Sequence, residues 1–162
     1  MQQGMQDMDS ETGPEMTRSH YRMLGLNLAI SLVIMYVVMF AMIYSLGEFI
    51  QNINFFYMAL MMWAPMGSLM LLTMGSMYKN KQLNVMLHVA FALVFVLSFF
   101  GIREQGLVGD NQFLRSMIPH HSGAILMCEK ASLSDPQIRR LCDGIIDGQK
   151  AEIAEMKALL EK

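Results

Sequence analysis

The chain changes character near residue 102. Before that point apolar positions run in three long stretches, residues 23–46, 55–78 and 83–102, and none of them contains Asp, Glu, Lys or Arg. Each meets the length of about 20 residues that a helix needs to cross a hydrocarbon layer. The first two are too long for buried helices of a small soluble domain. They predict three transmembrane helices over residues 23–102, preceded by a polar, acidic tail at residues 1–22 that is read as disordered and cytoplasmic. That tail and the length of the first run argue against a cleaved leader.

After residue 102 the pattern becomes amphipathic. "GLVGDNQF" supplies a linker at residues 103–109 and a helix start, with Asp110 as N-cap. The first helix is expected to run to about Ala131. "SLSDPQ" breaks it, and Asp135 followed by Pro136 reads as N-cap and first position of a second helix. Residues 110–162 thus predict an antiparallel helical hairpin, and the whole chain an all-α fold. On the first helix, Asp110, Phe113, Met117, His121, Ala124 and Cys128 share one face, with His120 and Met127 at its edge and Pro119 opposite. On the second, Ile138, Cys142, Ile145, Gln149, Glu152, Met156 and Leu159 recur at three-and-four spacing. Folding about Ser132–Asp135 brings Met117 to the level of Glu152, the two histidines near Gln149, and Met127 and Cys128 near Cys142.

Orientation follows from basic residues at the ends of the apolar runs. Arg18 and Arg22 precede the first, Lys79 and Lys81 separate the second from the third, and the intervening "GEFIQNIN" has none. The amino terminus is therefore expected in the cytoplasm and the hairpin outside, in the periplasm of a bacterial inner membrane. Arg103 and Arg115 run against that contrast. Cysteines confined to the exported segment agree with it. Cys128 and Cys142 lie at matching heights and could bridge. Reduced or metal-associated thiols are the slightly favoured reading, because only closely packed helices bring Cα atoms within about 7 Å.

Composition sharpens the picture at two points. Of the residues 54% are hydrophobic and 16% charged, with a net charge of −2, so the lipid bilayer is the expected partner and nucleic acid is not. The 19 methionines are far above ordinary usage. Met58, Met62, Met66, Met70 and Met74 repeat every fourth residue, and Met35, Met39 and Met42 do likewise. Core packing is the leading reading of both sets. The alternative is a copper-permeating channel, since eukaryotic-type copper transporters have three spans and a Met-x-x-x-Met pair in the second. Their amino terminus lies outside, however, and their glycine motif late in the third span is missing. Met1, Met5 and Met8 would hold Cu(I) weakly. His88 reads as an interfacial residue, and Pro65 with Gly67 as a kink or a close contact.

The stretch "MIPHHSGAILMC" carries the candidate chemistry. Thioethers favour Cu(I), and imidazole accepts both copper states; zinc would prefer Cys, His and carboxylate. Met117 and His121 are four apart and on one face. A carboxylate at Glu152 on an inner stripe is costly unless paired, protonated or metal-bound. The ordinary reading is a structural one, in which His and Glu152 fix helix register and the methionines fill the core. Both readings remain open on the residues alone.

"DNQFLRSMIPHHSGAILM" and the following "GIIDGQKAEIAEMKALL" resemble the bacterial domain-of-unknown-function family three-hundred-and-five, grouped with ferritin-like helical folds. The shared pattern falls on Asp110, Phe113, Met117, His120, His121, Ala124, Met127, Gln149, Glu152, Ile153 and Met156. "MYKNKQLN" and the three apolar runs are similar to a membrane-anchored subgroup. The resemblance implies metal binding, with copper as the expected ion, and no established enzymatic activity. From the residues themselves the expected ligands are His120, His121, Met117 and Met127, with Glu152, Gln149, Met156, Asp110, Cys128 and Cys142 as outer or additional groups. Larger members carry two hairpins, so a single one is expected to complete a four-helix bundle as a homodimer or higher homo-oligomer. No Glu-x-x-His pair, phosphate loop or nucleophile elbow points to an enzyme. The expected function is a membrane-anchored copper-binding protein for metal homeostasis or resistance. The alternative is a non-catalytic membrane interaction module without metal.

Overall fold

The computed structural model describes residues 14–162, with side chains from residue 19 onward. Its five α-helices are α1 (Pro14–Val38), α2 (Ile53–Thr73), α3 (Lys81–Arg103), α4 (Asp110–Lys130) and α5 (Pro136–Leu160). Short 3₁₀ turns at Met39–Met42 and Leu46–Glu48 join α1 to α2. No strand occurs among the described residues. Three helical stretches, Ser19–Met42, Ile53–Thr73 and Lys81–Arg103, are long and apolar enough to cross a membrane. Helix α1 begins at Pro14, inside the segment expected to be an unstructured tail. Met1, Met5 and Met8 lie outside the described residues.

The chain divides into two compact units. The first ends its leading segment at Met35 and resumes with Ala59–Phe99. Its core is Leu24, Leu28, Ala64, Leu71, Tyr78 and Phe91. Trp63 Nε1 donates to the Leu28 carbonyl (2.7 Å), and its ring meets Phe91 edge-on at 5.3 Å. Gly67 explains this close approach, because a Cβ there would lie 2.5 Å from Phe91 Cζ. The expectation of close packing at Pro65–Gly67 thus holds, while α2 stays a continuous helix through Pro65. His88 Nδ1 lies 3.2 Å from Ser68 Oγ. Outward positions such as Leu26, Ile30, Val33, Val89, Leu93 and Leu97 are exposed and apolar. A surface of that kind suits lipid, where burying apolar side chains needs no protein partner.

The second unit comprises Tyr36–Met58 and Phe100–Lys162. Helix α3 ends in a Schellman turn whose left-handed position is Gln105 where glycine is usual. Gly106 N donates to Gly101 O (2.8 Å) and Gln105 N to Ile102 O (3.3 Å), with Gln105 at φ 51°. Tyr57 holds this turn through a hydrogen bond to the Gly106 carbonyl (2.9 Å), which fixes where α4 begins. The N-cap of α4 is Gly109, not Asp110. Asp110 is the first helical residue and sits exposed in the first turn, where its charge favours the helix dipole. Asp135 caps α5 as expected, accepting from Gln137 N at 2.6 Å, with Pro136 following.

Helix α4 is buried on two sides, where one was expected. Toward α5, Ile118 and Ile125 pack with Ile153 and Met156, flanked by Leu114, Met117, Ile146 and Leu160. The buried stripe of α5 keeps the expected Met156 but takes in Ile146, Ile153 and Leu160 where Ile145, Glu152 and Leu159 were expected. Ile138 and Leu159 are exposed, and Glu152 lies at the edge. The other side of α4 carries buried Ser116, Pro119, Ser122 and Gly123. It is covered by the α1–α2 connection. Ser122 Oγ accepts from Tyr44 N (2.6 Å) and donates to Glu48 Oε2 (2.5 Å). Gln112 Oε1 accepts from Ile53 N (3.1 Å), and Ser116 Oγ donates to Asn52 Oδ1 (3.4 Å). Glu48 also accepts from Ser45 N (3.0 Å), closing a capping box around the 3₁₀ turn.

Candidate metal centre on the paired helices α4 and α5

His121 is the polar residue that α4 directs most deeply toward α5. Nδ1 lies 2.9 Å from the Met117 carbonyl and Nε2 lies 2.8 Å from Glu152 Oε2. Both ring nitrogens therefore face oxygen acceptors. A neutral imidazole has one N–H and one lone pair, so it satisfies one of these contacts and turns a lone pair toward the other. A cation bound by Nε2 and the carboxylate would satisfy both contacts at once. Donation from Nδ1 to a backbone carbonyl is also the contact that orients a metal-binding histidine and leaves Nε2 to coordinate.

Access favours chemistry at that point. The His121 side chain is 11% exposed and the Glu152 side chain 56% exposed, so the carboxylate closes the solvent side of a nearly buried ring. This corrects one expectation: Glu152 is not a buried charge on an inner stripe. Gln149 Nε2 lies 3.5 Å from Glu152 Oε2 and steadies the carboxylate.

The remaining expected ligands do not converge on one point. His120 is exposed, with its ring centroid 5.9 Å from that of His121. Met127 is 54% exposed. Seven residues separate it from His120, so the two share a face about 10 Å apart along the axis. Met117 is half-buried beside the core, within reach of the His121 level. Met156 is buried among Ile118, Ile125 and Ile153, where its thioether serves packing. Asp110 stands three turns before His121 and plays no part in this locus. Among the described residues no three His, Cys, Asp or Glu side chains come together.

Cys128 and Cys142 form a disulfide with Cα atoms 5.3 Å apart, so neither thiol is available as a ligand. The preference for reduced thiols is thereby overturned: near the interhelical connection α4 and α5 pack closely enough to meet the bridging distance. Closing a loop of this size restricts the unfolded chain, a contribution of about 3 kcal/mol. Thiol counting without reductant is expected to find none, and reduction to lower the thermal midpoint of the purified protein. Two reactive thiols before reduction would contradict the bridge.

Sequence reasoning missed Glu48, the buried acid of this unit. Its Oε1 lies 3.9 Å from Lys157 Nζ on α5, so one carboxylate joins the α1–α2 connection to both later helices. The available signal was Ser45 three residues before Glu48, the spacing of a capping box.

Residues 101–160 match the family described as "Domain of unknown function (DUF305)". The chain is also 32% identical over 120 residues to an uncharacterized protein of Acanthamoeba polyphaga mimivirus, an alignment covering 73% of this chain and 77% of that protein. It is too long to fit within the matched domain, so it takes in part of the apolar helices as well. No solved structure matches the chain. The chain belongs to the DUF305 family. Its all-α fold carries three helices apolar enough to cross a membrane ahead of the family domain.

Proposed function

We propose that the protein is a membrane-anchored metal-binding protein whose antiparallel α4–α5 hairpin, half of a ferritin-like bundle, holds a copper ion at His121. One observation carries the reading: both ring nitrogens of His121 face oxygen acceptors, and a carboxylate on α5 closes the solvent side. His121 Nε2 and Glu152 would hold the ion, with Met117 and the exposed His120 as neighbouring soft and borderline donors. Met127 lies too far along α4 to join the same ion in one chain and belongs to a contact with a second copy. Copper loading of the detergent-purified protein tests this. Wild type is expected to retain Cu(II), which thioethers hold poorly, in preference to zinc, and the His120→Ala, His121→Ala protein to lose it. Equal Cu(II) retention by a folded double variant would replace the reading with the metal-free interaction module.

Two further parts of the proposal stand on separate observations. The amino terminus faces the cytoplasm and the hairpin the opposite side, supported by Arg22, Lys79 and Lys81 at the ends of the apolar helices. Alkaline phosphatase fused after Lys162 is then active in a bacterial host, and a stable but inactive fusion would reverse the assignment. The hairpin also pairs with another copy, supported by exposed Phe113, Met127, Ile138, Leu141 and Leu159 on its surface. Light scattering in detergent, corrected for bound detergent, should give at least two chains; a strict monomer at micromolar concentration would reject the pairing.

A further inference from the structure

The methionines of the first unit are not spread evenly. A cavity of about 360 Å³ gathers His20, Met23 and Asn27 from α1 with Met70, Met74 and Met77 from the end of α2 and the turn after it, together with the core residues Leu24 and Tyr78. The α1 residues follow helical spacing, so they present one face. Helix α2 ends at Thr73, yet Met74 N donates to Met70 O (3.0 Å) and Met77 N to Met74 O (2.9 Å). The closing turn thereby carries the methionine stripe past the helix and brings Met77 to the same cavity. Met23 and Met74 are 65% and 38% exposed, so the cavity is open to an entering ion, while Met70 packs on the core.

We propose that this cavity is a second soft-metal site, which takes a monovalent d¹⁰ cation, Cu(I) or Ag(I). Four thioethers and one imidazole line it, and no carboxylate does. Neutral sulfur donors select Cu(I) over Mg²⁺, Ca²⁺ and Zn²⁺, which want oxygen or thiolate charge. A single positive charge is also the least costly to bring beside an apolar core without a counter-anion. Nearby contacts fix the frame. Tyr21 donates to Asn84 Oδ1 (2.7 Å), Asn84 Nδ2 donates to the Tyr78 carbonyl (2.7 Å), and the Tyr21 and Tyr78 rings lie 5.3 Å apart. Lys79 and Lys81 follow directly, so the site sits at the end of the spans that carries the basic residues. The inference does not depend on copper at His121.

The test uses the full chain in detergent with His120→Ala and His121→Ala, which removes the hairpin site. Ag(I) is the probe, because it binds thioethers as Cu(I) does and is not oxidised. This protein is expected to retain one tightly bound Ag(I), with sulfur neighbours in X-ray absorption. Adding Met70→Leu, Met74→Leu and Met77→Leu should weaken binding at least about tenfold, the lower end of losses at perturbed metal sites. Leucine keeps the cavity apolar and filled, so an occupant held only by apolar contact, such as an acyl chain, would be unaffected. His20→Ala with Met23→Leu, at the accessible rim, serves as a second variant set that spares the core. The proposal is overturned if the histidine double variant retains no Ag(I), or if neither set weakens retention in protein of unchanged helicity. Failure of the hairpin reading looks different: wild type and the histidine double variant would then bind alike.

Discussion

Replacing His121 with alanine in the full-length protein lowers copper affinity at least about tenfold, at or beyond the 10–100-fold losses seen when outer-shell partners of metal ligands are removed. The expectation rests on its two contacts, Nδ1 to the Met117 carbonyl and Nε2 to Glu152. His120→Ala should cost less, because the exposed ring has no such preorganised geometry. Glu152→Gln should also do less than His121→Ala, since the amide oxygen still reaches the ion but loses the charge. Competition against a chromogenic chelator, for Cu(I) and Cu(II) separately, gives the ratios. Equal losses for all three variants would mean that no single histidine is privileged.

The second large effect is structural and falls on Glu48. Glu48→Ala leaves the buried Ser122 hydroxyl without its acceptor and opens the capping box at Ser45. The buried hydroxyl alone costs about 1–3 kcal/mol. The variant is expected to unfold earlier on heating and to become sensitive to protease within the α1–α2 connection. Ser122→Ala removes one donor and leaves the Ser45 contact, so its effect should be smaller. If Glu48→Ala matched wild type in both measurements, the connection would not be fastened to α4 in the way described.

The legible parts of the fold are those governed by local rules. Uncharged apolar runs located α2 and α3, and Asp135 with Pro136 located the start of α5. Pro119 shows where local rules end. It was placed on the outer face by angle from His121, yet it is buried, because α4 has two covered sides. The second cover comes from Tyr44 and Glu48, 78 and 74 residues away from Ser122. Ser116 and Ser122 are buried because their hydroxyls find partners on a distant segment, and Gly123 because its small size admits that segment. The site was half legible. His121 and Met117 share a face as helical spacing implied, but Glu152, expected at the level of Met117, meets His121 instead, and the α5 stripe is turned by one residue about Met156. That step moves Glu152 from the core to its rim and puts Ile153 inside. The matching heights of Cys128 and Cys142 are legible in the sequence, whereas the interhelical distance that permits the bridge, 5.3 Å between Cα atoms, is not.

Ligation at His121 is the claim on which the functional account turns, and pulsed electron paramagnetic resonance of the Cu(II)-loaded protein reads it directly. A coordinated imidazole modulates the echo through its remote ring nitrogen. The account predicts that modulation in wild type and in His88→Ala, and its loss in His121→Ala. Undiminished imidazole modulation in folded His121→Ala protein would contradict it.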